Sequence, residues 1–120
     1  MTRILITGSR SFTNYGVFSE LLKTYLKEED ILLPHIKIIH GGAPGTDRMA
    51  SRFCRNNDVD EIVVRPINPS RREYYLHRNA EMIGMADRVI GFTVDNSRGT
   101  KFTTDYAQTR GLNVKIFEVN

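Results

Sequence analysis

A single cysteine, Cys54, is present in the 120-residue chain. One thiol excludes an internal disulfide framework, a zinc finger and a cysteine-ligated iron–sulfur cluster. No apolar run approaches the roughly 20 residues that cross a bilayer, so no membrane partner is expected. The opening MTRILITGSR lacks the length and the small-residue cleavage site of a secretory signal. These absences lead us to expect a reduced, cytoplasmic protein. At 13.8 kDa the chain fits one domain spanning residues 1–120. Area scaling predicts about 6,600 Å² of accessible surface when folded, against about 20,000 Å² unfolded. Burial on that scale builds a core without metal or disulfide staples.

Net charge is also small, with seventeen basic side chains against fourteen acidic ones and a balance of +3. Twelve of the seventeen are arginine. Arginine presents a planar donor fork suited to phosphate and carboxylate, whereas lysine acts as a point charge. Whether those arginines are solvated surface or a binding feature depends on where they fall.

Short β-branched runs alternate with segments of helical period. Residues 3–7, 36–40, 62–65, 88–92 and 114–119 read as strands, the first four ending at loop formers as buried parallel strands do. Helices are expected over 15–27, 45–56, 71–85 and 99–110. Ser70 and Glu73 have the spacing of a capping box for the third helix. Gly111 suits the position just past the fourth. Five strands alternating with four helices predict an α/β fold, a doubly wound, Rossmann-like parallel sheet with helices on both faces. With strand order 3-2-1-4-5, the ligand crevice falls at the carboxyl ends of the strands, between the first and fourth.

Three loops reach that edge. The first strand runs into Gly8-Ser9-Arg10, where glycine permits close backbone approach, Ser9 offers a hydroxyl and Arg10 reaches over the crevice. It is not a dinucleotide fingerprint, since G-x-G-x-x-G is absent. The second strand runs into His40-Gly41-Gly42-Ala43-Pro44-Gly45-Thr46-Asp47. Paired glycines before a helix suit a phosphate cradle of free N–H groups, although no Walker A lysine follows. The alternative is a tight turn with Thr46 or Asp47 capping the helix. A strand-end histidine such as His40 is expected to make a structural hydrogen bond. After the fourth strand, Ser97, Gly99 and Thr100 open a helix between Arg98 and Lys101, placing a second helix N-terminus at the crevice. Counted over the loops and first helical turns of this edge, Arg10, Arg48, Arg71, Arg72, Arg98 and Lys101 face Asp47, Glu73 and Asp95. That excess equals the net charge of the whole chain, so the basic surplus is expected around the crevice, where it focuses an anion.

The stretches GGAPGTDRMA (41–50), RNAEM (78–82) and SRGTK (97–101) together resemble the SLOG superfamily, and within it the YspA-type, cpYpsA-related branch. The resemblance runs from Ile4 to Val119. It implies a Rossmann-like fold that binds a nucleotide or nucleotide derivative, with Gly8, Ser9, Gly41, Gly42, Arg78, Gly99 and Thr100 lining the pocket. Asn79, beside Arg78, joins the candidate ligand-binding residues, with Arg10, Thr46, Asp47 and Ser97. The LOG enzymes of the superfamily are phosphoribohydrolases with a P-G-G-x-G-T-x-x-E motif whose glutamate works with an arginine. Arg78 matches that arginine, but Pro-Gly-Gly is missing and Thr103 stands at the glutamate position. A hydroxyl does not replace a carboxylate in acid–base work. The expected role is therefore a binding module: a sensor, a sequestering protein or a partner subunit, with no cofactor or metal motif. Two alternatives stay open. One is a nucleotide hydrolase with a relocated acid, Asp47 or Asp105, and with Arg78 as its catalytic arginine. The other is DprA-like binding of single-stranded DNA, less favoured because no long basic stripe appears. Phe12, Tyr74 and Tyr75 are candidates to stack on a base, and Cys54 reads as a small buried hydrophobe. The sequence is compatible with a homo-oligomer and fixes no oligomeric state.

Overall fold

Alternation decides the layers. In β1 (Thr2–Gly8), Ile4 and Ile6 point to one face of the sheet and Leu5 to the other, and all three are fully buried. The computed structural model describes residues 1–68 and 70–120. Along the chain follow α1 (Tyr15–Glu28), a short 3₁₀ turn (Leu33–His35), β2 (Ile36–His40) and α2 (Thr46–Asn57). Then come β3 (Asp60–Val63), α3 (Arg72–Met85), β4 (Arg88–Thr93), α4 (Arg98–Thr109) and β5 (Asn113–Glu118). The five strands form one parallel sheet in the order β3-β2-β1-β4-β5, as the sequence predicts.

Helices α1 and α2 cover one face, packing Phe18, Leu22, Ala50 and Phe53 over Ile4, Ile6, Ile38 and Phe92. On the other, α3 and α4 set Met82, Ile83 and Ala107 against Leu5, Ile39 and Val89. The accessible surface of 6952 Å² agrees with the area-scaling value. No helix among the described residues is long and apolar enough to cross a membrane.

Two local expectations are corrected. β3 begins two residues earlier than the hydrophobic run suggests. Asp58 ends α2 in the left-handed conformation, and the Val59 N–H bonds back to Cys54 O, so the chain is already extended at Asp60, opposite Lys37. The shift releases Arg65 from the strand into the loop at the carboxyl edge. The capping box does not form either. Asn68 Oδ1 accepts from both the N–H and the hydroxyl of Ser70, at 3.0 and 2.6 Å, while Glu73 turns to Arg71. Asn68 takes the groups that the cap needs, and α3 starts from Arg71 with no side-chain cap. The end of α4 is as expected: Gly111 (φ +78°) donates to Gln108 O and Leu112 to Ala107 O, closing a Schellman motif.

The seating of α4 fixes the mouth of the crevice. A Cβ on Gly91 of β4 would lie 3.0 Å from Thr104 and 3.2 Å from Thr100, so glycine lets α4 rest directly on the strand. The loop between them carries two successive left-handed residues, Asp95 (φ 50°) and Asn96 (φ 54°), residue types that tolerate this region. Thr93 Oγ1 accepts the Ser97 N–H at 2.9 Å and ties the loop to the strand end.

Candidate functional site

A cleft of about 660 Å³ lies at the carboxyl edge, over β1 and between the starts of α3 and α4. Of the sequence-expected residues, Gly8, Ser9, Arg10, Asp47, Arg78, Asn79, Ser97, Gly99 and Thr100 line it. Gly41 and Gly42 line a second, adjoining cleft of about 420 Å³ that shares Arg10, Ala43, Tyr75 and Arg78 with the first. Thr46 lines neither. It is fully buried, and its hydroxyl donates to Ser9 O at 3.0 Å.

The N-termini of α2 and α4 at this edge differ in what they leave free. At α2 the Asp47 carboxylate folds back and accepts from Gly41 N–H (3.1 Å) and Ala43 N–H (3.2 Å). The Gly42 N–H goes to His40 Nδ1 at 3.0 Å, and Thr46 N–H to Ser9 O. The expected cradle of free N–H groups is thus occupied by the protein itself. A carboxylate already supplies the negative charge that this helix end favours. At α4, Ser97 provides no side-chain cap, and the first backbone bond inside the helix is Lys101 N–H to Ser97 O. The N–H groups of Arg98, Gly99 and Thr100 have no acceptor among the described residues. A Cβ on Gly99 would meet no described residue within 4 Å, so space is open beside that turn.

The paired glycines have a different cause from the one the sequence suggests. A Cβ on Gly41 would fall 2.5 Å from Arg78 Cζ, and one on Gly42 would fall 2.9 Å from Arg65 Cζ. Two guanidinium groups lie against the glycine backbone where a ligand was expected to approach. Gly8 is likewise packed from within, its Cβ position lying against Thr46 and Phe92 O.

Arg78 is 7% exposed and threads between the loops. Its Nε donates to Asn79 Oδ1, and its Nη1 donates to Gly41 O (2.9 Å) and Val64 O (3.2 Å). Nη2 has no partner among the described residues. Every side-chain nitrogen and oxygen sealed from solvent does have one among the described residues, so Nη2 opens to the clefts. Burial pushes Asp47 above the ordinary carboxylate range, opposed by the N–H bonds from Ala43 and Gly41 and by the charges of His40 and Arg78. His40 is fixed at both nitrogens, Nδ1 accepting from Gly42 and Nε2 facing Glu61 at 2.9 Å, which leaves it a structural role. Cys54 is buried, and its thiol is pushed up to about 12, chiefly by desolvation.

Other expectations are redrawn. Arg48 and Lys101 line neither cleft, Arg71 pairs with Glu73, and Lys101 pairs with Asp105 at 2.9 Å. Asp105 lines neither cleft. Phe12 is 1% exposed and stacks on Phe92 with centroids 5.8 Å apart, as part of the core rather than a base platform. Tyr75 does reach both clefts, its ring 5.3 Å from Arg78 Cζ and 5.9 Å from Arg10 Cζ. Thr103 lines the cleft but spends its hydroxyl on Gly99 O at 3.1 Å. The sequence reading missed Arg65 and the apolar wall of Val94, Leu76, Met82 and Phe102. Arg65 was hidden because it was counted inside a strand.

A match to the sequence model of the YspA, cpYpsA-related SLOG family spans residues 2–68, from β1 to the loop after β3. The protein belongs to this family. It is also 30% identical over 125 residues to the Gene 61 protein of Mycobacterium phage D29, a similarity covering 98% of this chain and 97% of the phage protein. Among solved structures, the fold is similar to that of DNA processing protein A (DprA) from Streptococcus pneumoniae. The TM-score is 0.76 at 19% identity, over 97% of this chain and 50% of DprA. The chain therefore corresponds to about half of DprA. TM1055, a structural-genomics target, aligns with a TM-score of 0.69 at 16% identity, over 95% of this chain and 72% of its own. At these identities the two structures speak for the shared fold.

Proposed function

We propose that this family member binds a nucleotide or nucleotide derivative in the carboxyl-edge cleft and acts as a binding module, not as a base-releasing hydrolase. The observation that carries the reading is the uncapped start of α4. Its free N–H groups at Gly99 and Thr100 open onto a cleft lined by Arg10, Arg72, Arg78 and Arg98 against Asp47 alone. A phosphoryl group on those N–H groups would meet the positive end of the helix and lie in the same cleft as the Arg78 fork. Val94, Leu76, Met82 and Phe102 offer an apolar wall for a base, and Tyr75 offers a ring face. Mass spectrometry of small molecules released on denaturing the purified protein identifies the ligand. Calorimetry with nucleoside 5′-monophosphates should show binding that weakens about tenfold or more in Arg98→Ala, an exposed side chain with no ion pair among the described residues. Binding that is absent, or indifferent to Arg98 and Arg78, overturns the reading.

A second reading rests on Asp47. It is a buried carboxyl held above its ordinary range in the same cleft as Arg78, the profile of a general acid. Release of free base from a nucleoside monophosphate, abolished by Asp47→Asn, would favour it.

A further inference from the structure

Among the described residues no acid lines the smaller cleft, yet three guanidinium groups converge on it from separate elements. Arg10 follows β1, Arg65 follows β3 and Arg78 comes from α3. None has a carboxylate within 4 Å among the described residues. Arg65 and Arg78 rest on adjacent glycines, and Arg78, nine-tenths buried, leaves Nη2 open to the clefts. Like charges held together in this way destabilise the empty site. Arg78 is pushed below its ordinary value, first by burial, and Arg10 and Arg65 press in the same direction against Asp47 and Tyr75.

We propose that the Arg10–Arg65–Arg78 cluster is a second anion subsite, which takes a phosphoryl group of the ligand distinct from the one at α4. The inference rests on the nucleotide reading and names the ligand class. The α4 turn follows β4, and the Gly41–Gly42 loop follows β2, two strands away in the sheet. Strand spacing of about 4.8 Å sets the loops that carry the two sites about 10 Å apart where they leave the sheet, and the arginine side chains reach in from there. The neighbouring phosphoryl groups of a pyrophosphate share one bridging oxygen and do not span that distance. The ligand class is therefore a nucleotide with a second phosphoryl group separated from the first by at least a sugar. Arginine's fork suits this group, and Tyr75, between Arg10 and Arg78, marks the passage between the clefts.

The test is calorimetry of wild type and Arg65→Gln with each common ribonucleoside as its 5′-monophosphate, 5′-diphosphate and 3′,5′-bisphosphate. Arg65 is exposed and makes no side-chain hydrogen bond among the described residues, so thermal melting should show the variant folded. In wild type the bisphosphate should bind at least about tenfold more tightly than the mono- and diphosphate of the preferred base, the scale of a charged hydrogen bond. In Arg65→Gln that ratio should collapse towards one. A 5′-phosphorylated dinucleotide, tested in parallel, tells a free bisphosphate from a short chain as the source of the second group. An equal gain from the diphosphate, or a ratio unchanged by Arg65→Gln, overturns the subsite while leaving the nucleotide reading intact. Failure of every nucleotide to bind overturns both. Tight, salt-dependent binding of a single-stranded 20-mer with no preference among the mononucleotides overturns the subsite in favour of a nucleic-acid groove.

Discussion

At Asp47, desolvation and hydrogen bonding act in opposite directions, and desolvation dominates. A carboxyl group whose folded value is raised is protonated more readily in the folded state than in the unfolded one. Its contribution favours folding below the ordinary value of 3.8 and is progressively lost as pH rises through the raised value. Asp47→Asn keeps an oxygen for the N–H groups of Gly41 and Ala43 and removes the titration. Urea unfolding from pH 3.5 to 7 should therefore show wild type losing stability relative to the variant, at no more than about 1.4 kcal/mol per pH unit. Parallel curves would contradict the assignment. Thr103 bears on chemistry instead. Its hydroxyl is bonded to Gly99 O, and Arg78 remains protonated and supplies no base. Wild type should release no free base from nucleoside monophosphates at an enzymatic rate, since loss of acid–base assistance removes about 10²–10⁴-fold. Chromatography for free base checks this, and Thr103→Glu should recover at most a small turnover. At this scale the sequence was legible in part. The helix-opening pattern singled out Gly99 and Thr100 and the family resemblance Arg78, all of which line the main cleft, but neither could reveal that Asp47 and His40 occupy the N–H groups of the glycine loop. Those bonds depend on a side chain turning back onto its own loop, which no periodicity records.

Among the elements, α2 and α4 share one architectural position, a helix following a strand end, yet only α4 presents an unfilled first turn. The difference comes from one carboxylate in α2 and from the close seating of α4 on Gly91. Gly91→Ala should press its new methyl on Thr104 and Thr100, costing about 1–3 kcal/mol and shifting the α4 start. Nucleotide affinity should fall with it. Gly99→Ala should leave the melting temperature within a few degrees of wild type, because the added Cβ meets no protein atom. Equal destabilisation by the two alanines would contradict the packing account. Helix boundaries were legible to within a residue or two, through the apolar period and Gly111. β3 was not, because a four-residue edge strand with exposed acids at Asp60 and Glu61 carries little apolar alternation. The α3 capping box failed because Asn68 competes for Ser70.

For the whole molecule, alternating strands and helices with right-handed crossovers lead to a doubly wound sheet; the order 3-2-1-4-5 is one member of that class, and the crevice follows from it. The basic surplus at the carboxyl edge was a correct inference about the edge and an incomplete one about its members. Arg48, Arg71 and Lys101 stand aside, while Arg65 and Arg78, absent from the count, face the clefts. A crevice at this edge with an open helix start is the centre of the account, and a crystal soaked with nucleoside 5′-monophosphates tests it most directly. Phosphoryl density about 3 Å from the Gly99 and Thr100 nitrogens, in the cleft that Arg78 also lines, is the predicted result. Ligand density confined to the amino ends of the strands would contradict it.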